Sequence, residues 1–293
     1  MDKQSILDWL YSLHRFGIKP GLERINILSE FLGHPEKQFN CIHITGTNGK
    51  GSTASNLASI LIEAGYKTGL YTSPHVLEFN ERIQINSKMI EDDVLIEYAQ
   101  VLKPLQEKTG ATFFELTTAI AFRYFADMKV DIAVIEAGMG GMNDATNIIA
   151  PILSIITPIS LEHTQYLGNT IEEIAFDKSQ IIKTNSKCLI SDKNKRLQNI
   201  FFQQANKVSA DIYFTSDLIT LRNFEINHDL SNKFEIADYE HQTKSFSTPL
   251  IGKFQIENAL MAIASARLIG NDFPINDNEL ERGLHQVVHN THL

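Results

Sequence analysis

The chain has 293 residues, enough for one large domain or two small ones around a sizeable core. Its 26 basic and 35 acidic residues give a net charge of −9, which argues against a general nucleic-acid-binding surface. A hydrophobic content of 43% and a charged content of 21% are ordinary for a soluble globular protein.

The N-terminal segment, the uncharged runs and the cysteines exclude further classes. Met1 to Ser5 lacks the basic and apolar regions of a signal peptide. The uncharged run 147–161 contains two prolines and is shorter than the roughly 20 residues of a membrane helix. The isolated Cys41 and Cys188 form neither a zinc spacing nor a disulfide framework. We therefore expect a cytoplasmic protein without membrane or nucleic-acid partners. A monomer is our separate expectation, which does not follow from these features.

In chain order, the hydrophobic periodicity predicts helices that alternate with apolar strands. The predicted helices are 2–14, 21–32, 52–64, 92–109, 114–126 and 256–268. The predicted strands are 41–45, 67–72, 130–136, 150–157 and 188–191. This alternation indicates an α/β fold in which helices flank a mostly parallel sheet.

A different pattern follows the last of these strands. Residues 218–226, 233–239 and 244–248 alternate apolar and polar side chains. A period of two is typical of strands with one buried face. We therefore predict a small antiparallel β-meander beside the parallel sheet.

The stretch between the strand 41–45 and the helix 52–64 has the composition of a phosphate-binding loop. This glycine-rich loop reads Thr-Gly-Thr-Asn-Gly-Lys-Gly-Ser-Thr over residues 45–53. Glycines let backbone N–H groups turn toward phosphate oxygens, and the positive end of the following helix favours the same anion. Lys50 is placed for the outer phosphates, and Ser52 or Thr53 can offer a hydroxyl near Mg²⁺. The predicted nucleotide contacts are Thr47, Asn48, Gly49, Lys50, Gly51, Ser52 and Thr53; a glycine-rich turn without a ligand is the alternative.

The loop departs from the usual P-loop because no glycine precedes Gly49 at the required spacing. In this form it resembles the loop of the Mur ligase superfamily. Further segments resemble folylpolyglutamate synthase/dihydrofolate synthase and follow that family's order from the first helix nearly to the last residue. They are 72–75 with 79–83, 112–115, 136–141 with 144–147, 162–163, 167–168, Lys178, Gly252 and 254–259.

The resemblance implies a fold, a reaction and cofactors. Residues 1–293 would form the central ATP-binding domain of a Mur ligase, with the N-terminal helices included. The implied enzyme is an ATP- and Mg²⁺-dependent ligase that adds L-glutamate to dihydropteroate, to tetrahydrofolate or to both. The substrate carboxylate would attack the γ-phosphoryl group of ATP, and the glutamate amine would then displace phosphate from the acyl phosphate.

By the same resemblance, Ser73 and Glu136 would hold one Mg²⁺ ion and His163 a second. Lys178 is typically carbamylated in the family and would add an anionic oxygen. Lys50, His163 and Lys178 are thus the implied catalytic residues. Glu136 also ends a buried apolar strand, where a carboxylate has little structural reason to be. The alternatives are a satisfied loop histidine at position 163 and a solvated lysine at position 178.

The resemblance implies substrate and adenine contacts as well. Asn258 would lie on the adenine side. Arg82 would approach the folate, with a surface arginine as the alternative. The implied substrate-binding residues are Arg82, Thr112, Phe113, Phe114, Glu115, Asn143, Asp144 and Ala145.

The sequence departs from the family's usual residues near several of these positions. Met142 and Asn143 replace Arg-Leu, Glu162 replaces Asp, Ser179 and Gln180 replace Ala-Gly, and Phe254 replaces His. None of these departures removes an implied metal ligand. They affect the expected pterin and adenine contacts.

Family members continue into a second, Rossmann-like domain that carries much of the glutamate site. The sequence ends at Leu293, about where the linker to that domain would begin, so we expect this C-terminal domain to be absent. A second hypothesis is therefore a truncated, catalytically impaired nucleotide-binding relic with little or no turnover. A cell-wall ligase of the same superfamily is a third hypothesis, which the segments around Ser73 and Arg82 disfavour.

Three histidines near the end of the chain share one helical face. They are His285, His289 and His292. This spacing could bind a metal ion, but we favour a frayed, solvated segment.

Overall fold

The computed structural model describes residues 2–13, 17, 19–228, 230–238 and 242–287. The helices in this part of the chain are α1 (Lys3–Ser12), α2 (Glu23–Phe31), α3 (Lys50–Glu63), α4 (Asp92–Thr109), α5 (Phe113–Asp127), α6 (Thr164–Leu167), α7 (Ile171–Ser179), α8 (Gln198–Val208), α9 (Thr215–Leu218), α10 (Phe254–Ile269) and α11 (Asp277–Gln286). The strands are β1 (Asn40–Thr45), β2 (Thr68–Tyr71), β3 (Ile83–Ile85), β4 (Lys88–Met89), β5 (Ile132–Glu136), β6 (Leu153–Ile156), β7 (Lys187–Ile190), β8 (Asp211–Phe214), β9 (Ile219–Ile226), β10 (Asn232–Asp238) and β11 (Thr243–Thr248).

Eight strands form one sheet in the order β4-β3-β2-β5-β1-β6-β7-β8. All neighbours from β2 to β8 run parallel, and β3 and β4 extend the β2 edge in antiparallel fashion. β1 lies near the centre, with Ile44 opposite both Glu136 of β5 and Ile155 of β6. The predicted α/β fold with a mostly parallel sheet is confirmed.

Helices cover both faces of this sheet because its central strands carry apolar side chains on both sides. In β1, Ile42 and Ile44 belong to a core with Leu57 of α3 and Ile263 of α10. Cys41 of the same strand belongs to a separate core that α1, α2, α4 and α5 complete. Alternate side chains of one strand therefore fill two different cores.

The strands β9, β10 and β11 form a separate antiparallel sheet in the order β11-β10-β9. Phe234 and Phe246 are opposite each other in this sheet, and their rings stack with centroids 6.1 Å apart. Both are buried in the core that contains α3 and α10. The predicted β-meander is confirmed, and its apolar face explains the period-two pattern.

The described helices differ in burial: α4 buries only one face, whereas almost every side chain of α10 is buried. The 18-residue helix α4 begins with Asp92 and Asp93. Within the described ranges, no helix is both long enough and apolar enough to cross a bilayer.

Several elements lie outside the predicted set. The strands β3 and β4 have only three and two residues, too few for a period to show. Helices α6, α7, α8, α9 and α11 and the edge strand β8 are also additional, although α11 starts with a capping box between Asn276 and Glu279. Of the three terminal histidines, His285 lies in α11, whereas His289 and His292 lie outside the described residues. The predicted element ends at positions 14 and 239 lie outside them as well.

Candidate active site

The predicted site residues collect at the carboxyl-terminal edge of the parallel sheet, where ligands bind in open α/β sheets. β1 ends at Thr45 and leads into the glycine-rich loop, and its neighbour β5 ends at Glu136. β2 ends at Tyr71 and leads into the segment that contains Ser73. Because these strands are parallel neighbours, segments that are far apart in sequence meet at one edge.

The glycine-rich loop presents backbone donors at the start of α3. The N–H groups of Lys50, Gly51 and Ser52 have no backbone acceptor among the described residues, as expected for the first turn of a helix. Those of Thr47 and Asn48 donate instead to the carbonyl of Pro158, at 2.9 and 3.2 Å. The amides that can receive a phosphate oxygen are therefore those at the helix N-terminus. Nucleotide contacts from Thr47 and Asn48 would have to come from their side chains.

Gly49 turns the chain into α3 with a φ of 84°, in the left-handed region. A Cβ at this position would lie 2.2 Å from Oδ1 of Asn258. Asn258, buried in α10, donates from Nδ2 to Oε1 of Gln255 at 2.9 Å. The side chain of Asn258 thus packs directly against the glycine-rich loop, while its contact with adenine stays a prediction.

Lys50 folds back over the loop, and its Nζ donates to the carbonyls of Gly46 (3.1 Å) and Thr47 (3.4 Å). The two hydroxyls predicted to lie near Mg²⁺ differ in their surroundings. Ser52 lines a cavity beside Lys50. Thr53 is fully buried, and its Oγ1 has no hydrogen-bond partner among the described residues. Ser52 is therefore the better placed of the two for a ligand.

Glu136 ends β5 as a buried carboxylate with 3% of its surface exposed. Its Oε2 accepts a hydrogen bond from the Ser73 N–H at 3.0 Å, which ties the segment after β2 to β5. Burial raises the pKa of Glu136 to about 7, against the opposing effects of the Lys50 charge and the Ser73 N–H. In the part of the chain that the structure describes, no lysine or arginine forms an ion pair with this carboxylate.

These donors fit one divalent cation. The Glu136 carboxylate and the hydroxyls of Ser52 and Ser73 line a single cavity. Mg²⁺ prefers hard oxygen donors of this kind and usually completes its shell with water and substrate phosphates. No three His, Cys, Asp or Glu side chains of the described ranges form a cluster that could hold a metal ion without such help.

Lys178 is almost completely buried, with 1% of its surface exposed, so the alternative of a solvated lysine is wrong. Its Nζ donates to the Gly46 carbonyl and to Oε1 of Glu162, both at 2.8 Å. Burial lowers the pKa of Lys178 despite this pairing. Burial would raise the pKa of Glu162, but the charge and hydrogen bond of Lys178, the Lys50 charge and a hydrogen bond from Thr47 together lower it. As an ammonium, Lys178 supports the loop and does not fit next to a second cation.

His163 lies at the start of α6 in a left-handed conformation, with a φ of 45°. Its side chain is exposed and lines the same large cavity as Lys50 and Ser73. His163 therefore belongs to the candidate site, while its binding of a second Mg²⁺ ion stays a prediction.

The large cavity, here called the aromatic cavity, measures about 660 Å³ and opens beside the glycine-rich loop. It brings together the predicted substrate-binding residues Arg82, Thr112, Phe113, Phe114, Glu115, Asn143, Asp144 and Ala145. Lys50 and Ser73 line both this cavity and a second one of about 380 Å³, the hydroxyl-lined cavity, in which Ser52, Ser55 and Ser59 face Thr68 and Thr72. The two cavities meet at the glycine-rich loop.

The first turn of α5 supplies two aromatic side chains, Phe113 and Phe114, to the wall of the aromatic cavity. Phe113 stacks on Tyr11, with ring centroids 5.9 Å apart. Phe114 lies so close to the segment after β5 that a Cβ on Gly138 would come within 2.6 Å of its Cζ. A glycine at position 138 therefore makes room for the Phe114 ring.

Asp144 is a carboxylate that its own surroundings hold in place. Its Oδ1 accepts from the N–H (3.0 Å) and the hydroxyl (2.5 Å) of Thr146, and its Oδ2 accepts from the Met139 N–H (2.8 Å). Nε2 of His43, a fully buried residue of β1, lies 2.7 Å from the Thr146 hydroxyl oxygen. Because that hydroxyl gives its proton to Asp144, His43 must donate from Nε2. Burial lowers the pKa of His43 to about 3, which keeps the ring neutral.

Glu115 and Thr112 have a structural task at the rim of the aromatic cavity. They form the capping box of α5, in which the Thr112 N–H donates to Oε2 of Glu115 at 2.7 Å. Arg24 of α2 pairs with the same carboxylate at 3.0 Å. The Glu115 carboxylate is therefore already engaged, and its substrate contact stays a prediction.

Sequence reasoning did not predict that His75 and Glu81 position other groups of the site. Glu81 accepts hydrogen bonds from the N–H groups of residues 76–78, at 2.8 to 2.9 Å, and so closes the loop after β2. His75 lies in this loop and contacts Arg82, which is buried, so the surface-arginine alternative is wrong. Glu81 falls within the segment 79–83, so the resemblance indicated this segment but not that the Glu81 carboxylate holds the loop after β2.

Known proteins resemble this chain over nearly its whole length. The Mur ligase middle domain family matches residues 44–266. The dihydrofolate synthase/folylpolyglutamate synthase of Bacillus subtilis (strain 168) is 37% identical over 290 residues, which cover 96% of this chain and 67% of that protein. The folylpolyglutamate synthase of Lacticaseibacillus casei is 32% identical over 299 residues, which cover 97% of this chain and 68% of that protein. The chain thus spans about two thirds of the length of these curated relatives.

Solved structures share the fold. An FPGS–AMPPCP–folate complex has a TM-score of 0.93 at 30% identity, over 99% of this chain and 72% of that chain. The folylpolyglutamate synthase of Thermotoga maritima has a TM-score of 0.86 at 33% identity, over 98% of this chain and 66% of that chain. Sequence and architecture agree, and the chain belongs to the folylpolyglutamate synthase/dihydrofolate synthase family of Mur ligases, which are ATP-dependent ligases.

Proposed function

We propose that this chain supplies the nucleotide and acid-substrate sites of an ATP- and Mg²⁺-dependent ligase that adds L-glutamate to dihydropteroate or a reduced folate. The observation that carries the proposal is the meeting of the two cavities at Lys50 and Ser73. A phosphate cradle that shares a wall with an aromatic cavity suits a reaction between a phosphoryl group and an aromatic acid. A solved relative is a complex with AMPPCP and folate, the same two classes of ligand.

The first step needs the γ-phosphoryl group to be held still and its charge neutralised. The N–H groups of Lys50, Gly51 and Ser52 and the Lys50 ammonium serve that purpose at the N-terminus of α3. An oxygen of the substrate carboxylate attacks the γ-phosphorus atom. The bond to the β–γ bridging oxygen breaks, ADP leaves with that electron pair, and an acyl phosphate remains.

The second step forms the amide. The amine of L-glutamate attacks the acyl carbon, the bond from that carbon to the phosphate oxygen breaks, and the nitrogen loses a proton as phosphate departs. The acyl phosphate must meanwhile be protected from water. The rings of Phe113 and Phe114 exclude water from the side of the aromatic cavity.

Glu136 and Ser73 would hold the Mg²⁺ ion, with Ser52 beside them. When bound, the ion neutralises charge on the phosphate oxygens. The second ion at His163 belongs to the same proposal and requires a change at Lys178. The neutral Lys178 amine would attack CO₂ and lose a proton, which replaces a buried cation by a carbamate. The lowered pKa of Lys178 favours the neutral amine that this step needs.

Calorimetric titration with AMPPCP and Mg²⁺ tests the nucleotide site. We expect Lys50→Ala to weaken AMPPCP binding by about 100-fold, because a charge-assisted contact to the outer phosphates is lost. Lys108→Ala, at an exposed position of α4, is the matched control and should bind as the wild type does. Unchanged affinity in Lys50→Ala would contradict the assignment of the loop.

An ADP-release assay then separates the two hypotheses for this chain. ADP release that depends on both dihydropteroate and L-glutamate supports a working ligase. AMPPCP binding without such release supports a nucleotide-binding relic. A folded wild-type chain that binds neither AMPPCP nor pteroate would overturn the proposed function.

A further inference from the structure

Arg82 is a buried cation without an ionic partner. Only 7% of its surface is exposed, and no carboxylate of the described residues pairs with it. Arginine is almost never buried unless it is paired. Its guanidinium carbon lies 5.2 Å from the Phe113 ring centroid, and the side chain lines the aromatic cavity. The unmet charge therefore faces the place that we assign to the acid substrate.

One edge of this guanidinium is already occupied. Nε of Arg82 donates to Nδ1 of His75 at 2.7 Å. Because arginine can only donate, His75 must leave Nδ1 unprotonated and carry its proton on Nε2. That Nε2 lies 3.5 Å from the hydroxyl oxygen of Tyr11, whose ring stacks on Phe113. His75 thus occupies the Nε edge of the Arg82 head group and Phe113 covers one face, while Tyr11 contacts both of these side chains.

The loop after β2 holds His75 in this position. The Glu81 carboxylate binds the N–H groups of residues 76–78, which directly follow His75. With Nε occupied by His75, Arg82 offers its two Nη nitrogens to a ligand. Their N–H groups match the two oxygens of a carboxylate.

We propose that His75 is a positioning residue that aims the Nη pair of Arg82 at the reacting carboxylate of the acid substrate. The inference rests on the proposed function, because it places a pteroyl acid in the aromatic cavity. According to this proposal, the protein recognises the carboxylate of the substrate separately from its ring system. The affinity for a ligand with the same rings and no carboxylate should therefore not change when His75 is substituted.

Calorimetric titrations of the full chain with pteroate and with pteroate methyl ester test this inference. The ester keeps the rings and lacks the negative charge. We expect His75→Leu to weaken pteroate binding about tenfold, the scale of one hydrogen bond to a charged group, and to change ester binding by less than about twofold. His75→Asn should restore most of the pteroate affinity, because its Oδ1 can accept from Nε of Arg82.

Two further variants serve as controls. Leu77→Ser changes a residue of the same loop that is 85% exposed, and it should bind both ligands as the wild type does. Arg82→Ala should remove the preference for pteroate, and His75→Leu added to it should cause no further loss. Thermal unfolding of each variant verifies that the fold is intact.

Three outcomes would overturn the inference alone. They are equal weakening of both ligands in His75→Leu, no recovery in His75→Asn, and wild-type pteroate affinity in Arg82→Ala. A wild-type chain that binds neither ligand contradicts the proposed function and the inference with it.

Discussion

The glycine-rich loop and the aromatic cavity adjoin each other, yet they are built in opposite ways. The loop is one continuous stretch, and it presents the backbone N–H groups of Lys50, Gly51 and Ser52, which have no backbone acceptor among the described residues. The cavity collects side chains from positions between 13 and 177, which lie on several helices and loops. Backbone donors depend on local conformation, whereas cavity walls depend on how distant elements pack. Substitutions in the two regions should therefore affect different ligands.

Gly49→Ala should cause the largest effect and should affect the nucleotide alone. The residue has a φ of 84°, and its new Cβ would lie 2.2 Å from Oδ1 of Asn258. We expect AMPPCP affinity to fall about 100-fold as the backbone donors shift, and pteroate affinity to change less than about twofold. Calorimetry with each ligand measures both. Wild-type AMPPCP affinity in Gly49→Ala would contradict the assignment of the backbone donors at the start of α3 to the nucleotide.

His43, which lies in the strand below the loop and contacts Thr146 beside the cavity, should make the stability of the protein depend on pH. Burial lowers its pKa to about 3 from the ordinary 6.5. The unfolded chain therefore takes up a proton first as the pH falls. The stability that neutral His43 contributes is complete above pH 6.5 and is lost as the pH falls toward 3.

Between pH 7 and pH 5, the wild type should therefore lose about 2 kcal/mol more unfolding free energy than His43→Gln. Urea unfolding of both proteins at the two pH values measures the difference, and other titrating groups cancel in the comparison. Equal losses in the two proteins would show that His43 is not held neutral by burial.

Gly138→Ala should give the smallest of the three effects and should spare the nucleotide. The new Cβ would lie 2.6 Å from the Phe114 ring, which must then move within the cavity wall. We expect pteroate affinity to fall about tenfold and AMPPCP affinity to stay within about twofold. Gly270→Ala, at a helix end with an ordinary φ of −59°, is the matched control. Loss of AMPPCP binding in Gly138→Ala would show that the two regions are coupled.

Local patterns predicted much of this molecule. The alternation of apolar strands and amphipathic helices predicts the parallel sheet, and the period-two segments predict the β-meander that Phe234 and Phe246 anchor. The glycine-rich loop lies between β1 and α3 as expected. The hairpin β3–β4 could not be predicted in this way because its strands are too short to show a hydrophobic period.

The candidate site was less open to prediction, because the state of a charged side chain depends on distant neighbours. Glu115, expected to contact substrate, already pairs with Arg24, which lies far from it in sequence. The amides of Thr47 and Asn48 donate to Pro158, which no local pattern indicates. Burial and pairing of this kind follow from packing alone.

The amino-acid sequence by itself determined the class of fold, the place of the glycine-rich loop and the residues that resemble the family. These features depend on short-range spacing, which the order of residues carries directly. Only the tertiary structure decided that Lys178 pairs with Glu162, that Arg82 is buried against Phe113, and that two cavities meet at Lys50. Those facts depend on which side chains remain without a partner once the sheet and its helices have packed, and the electrostatics of a buried group is set by that environment.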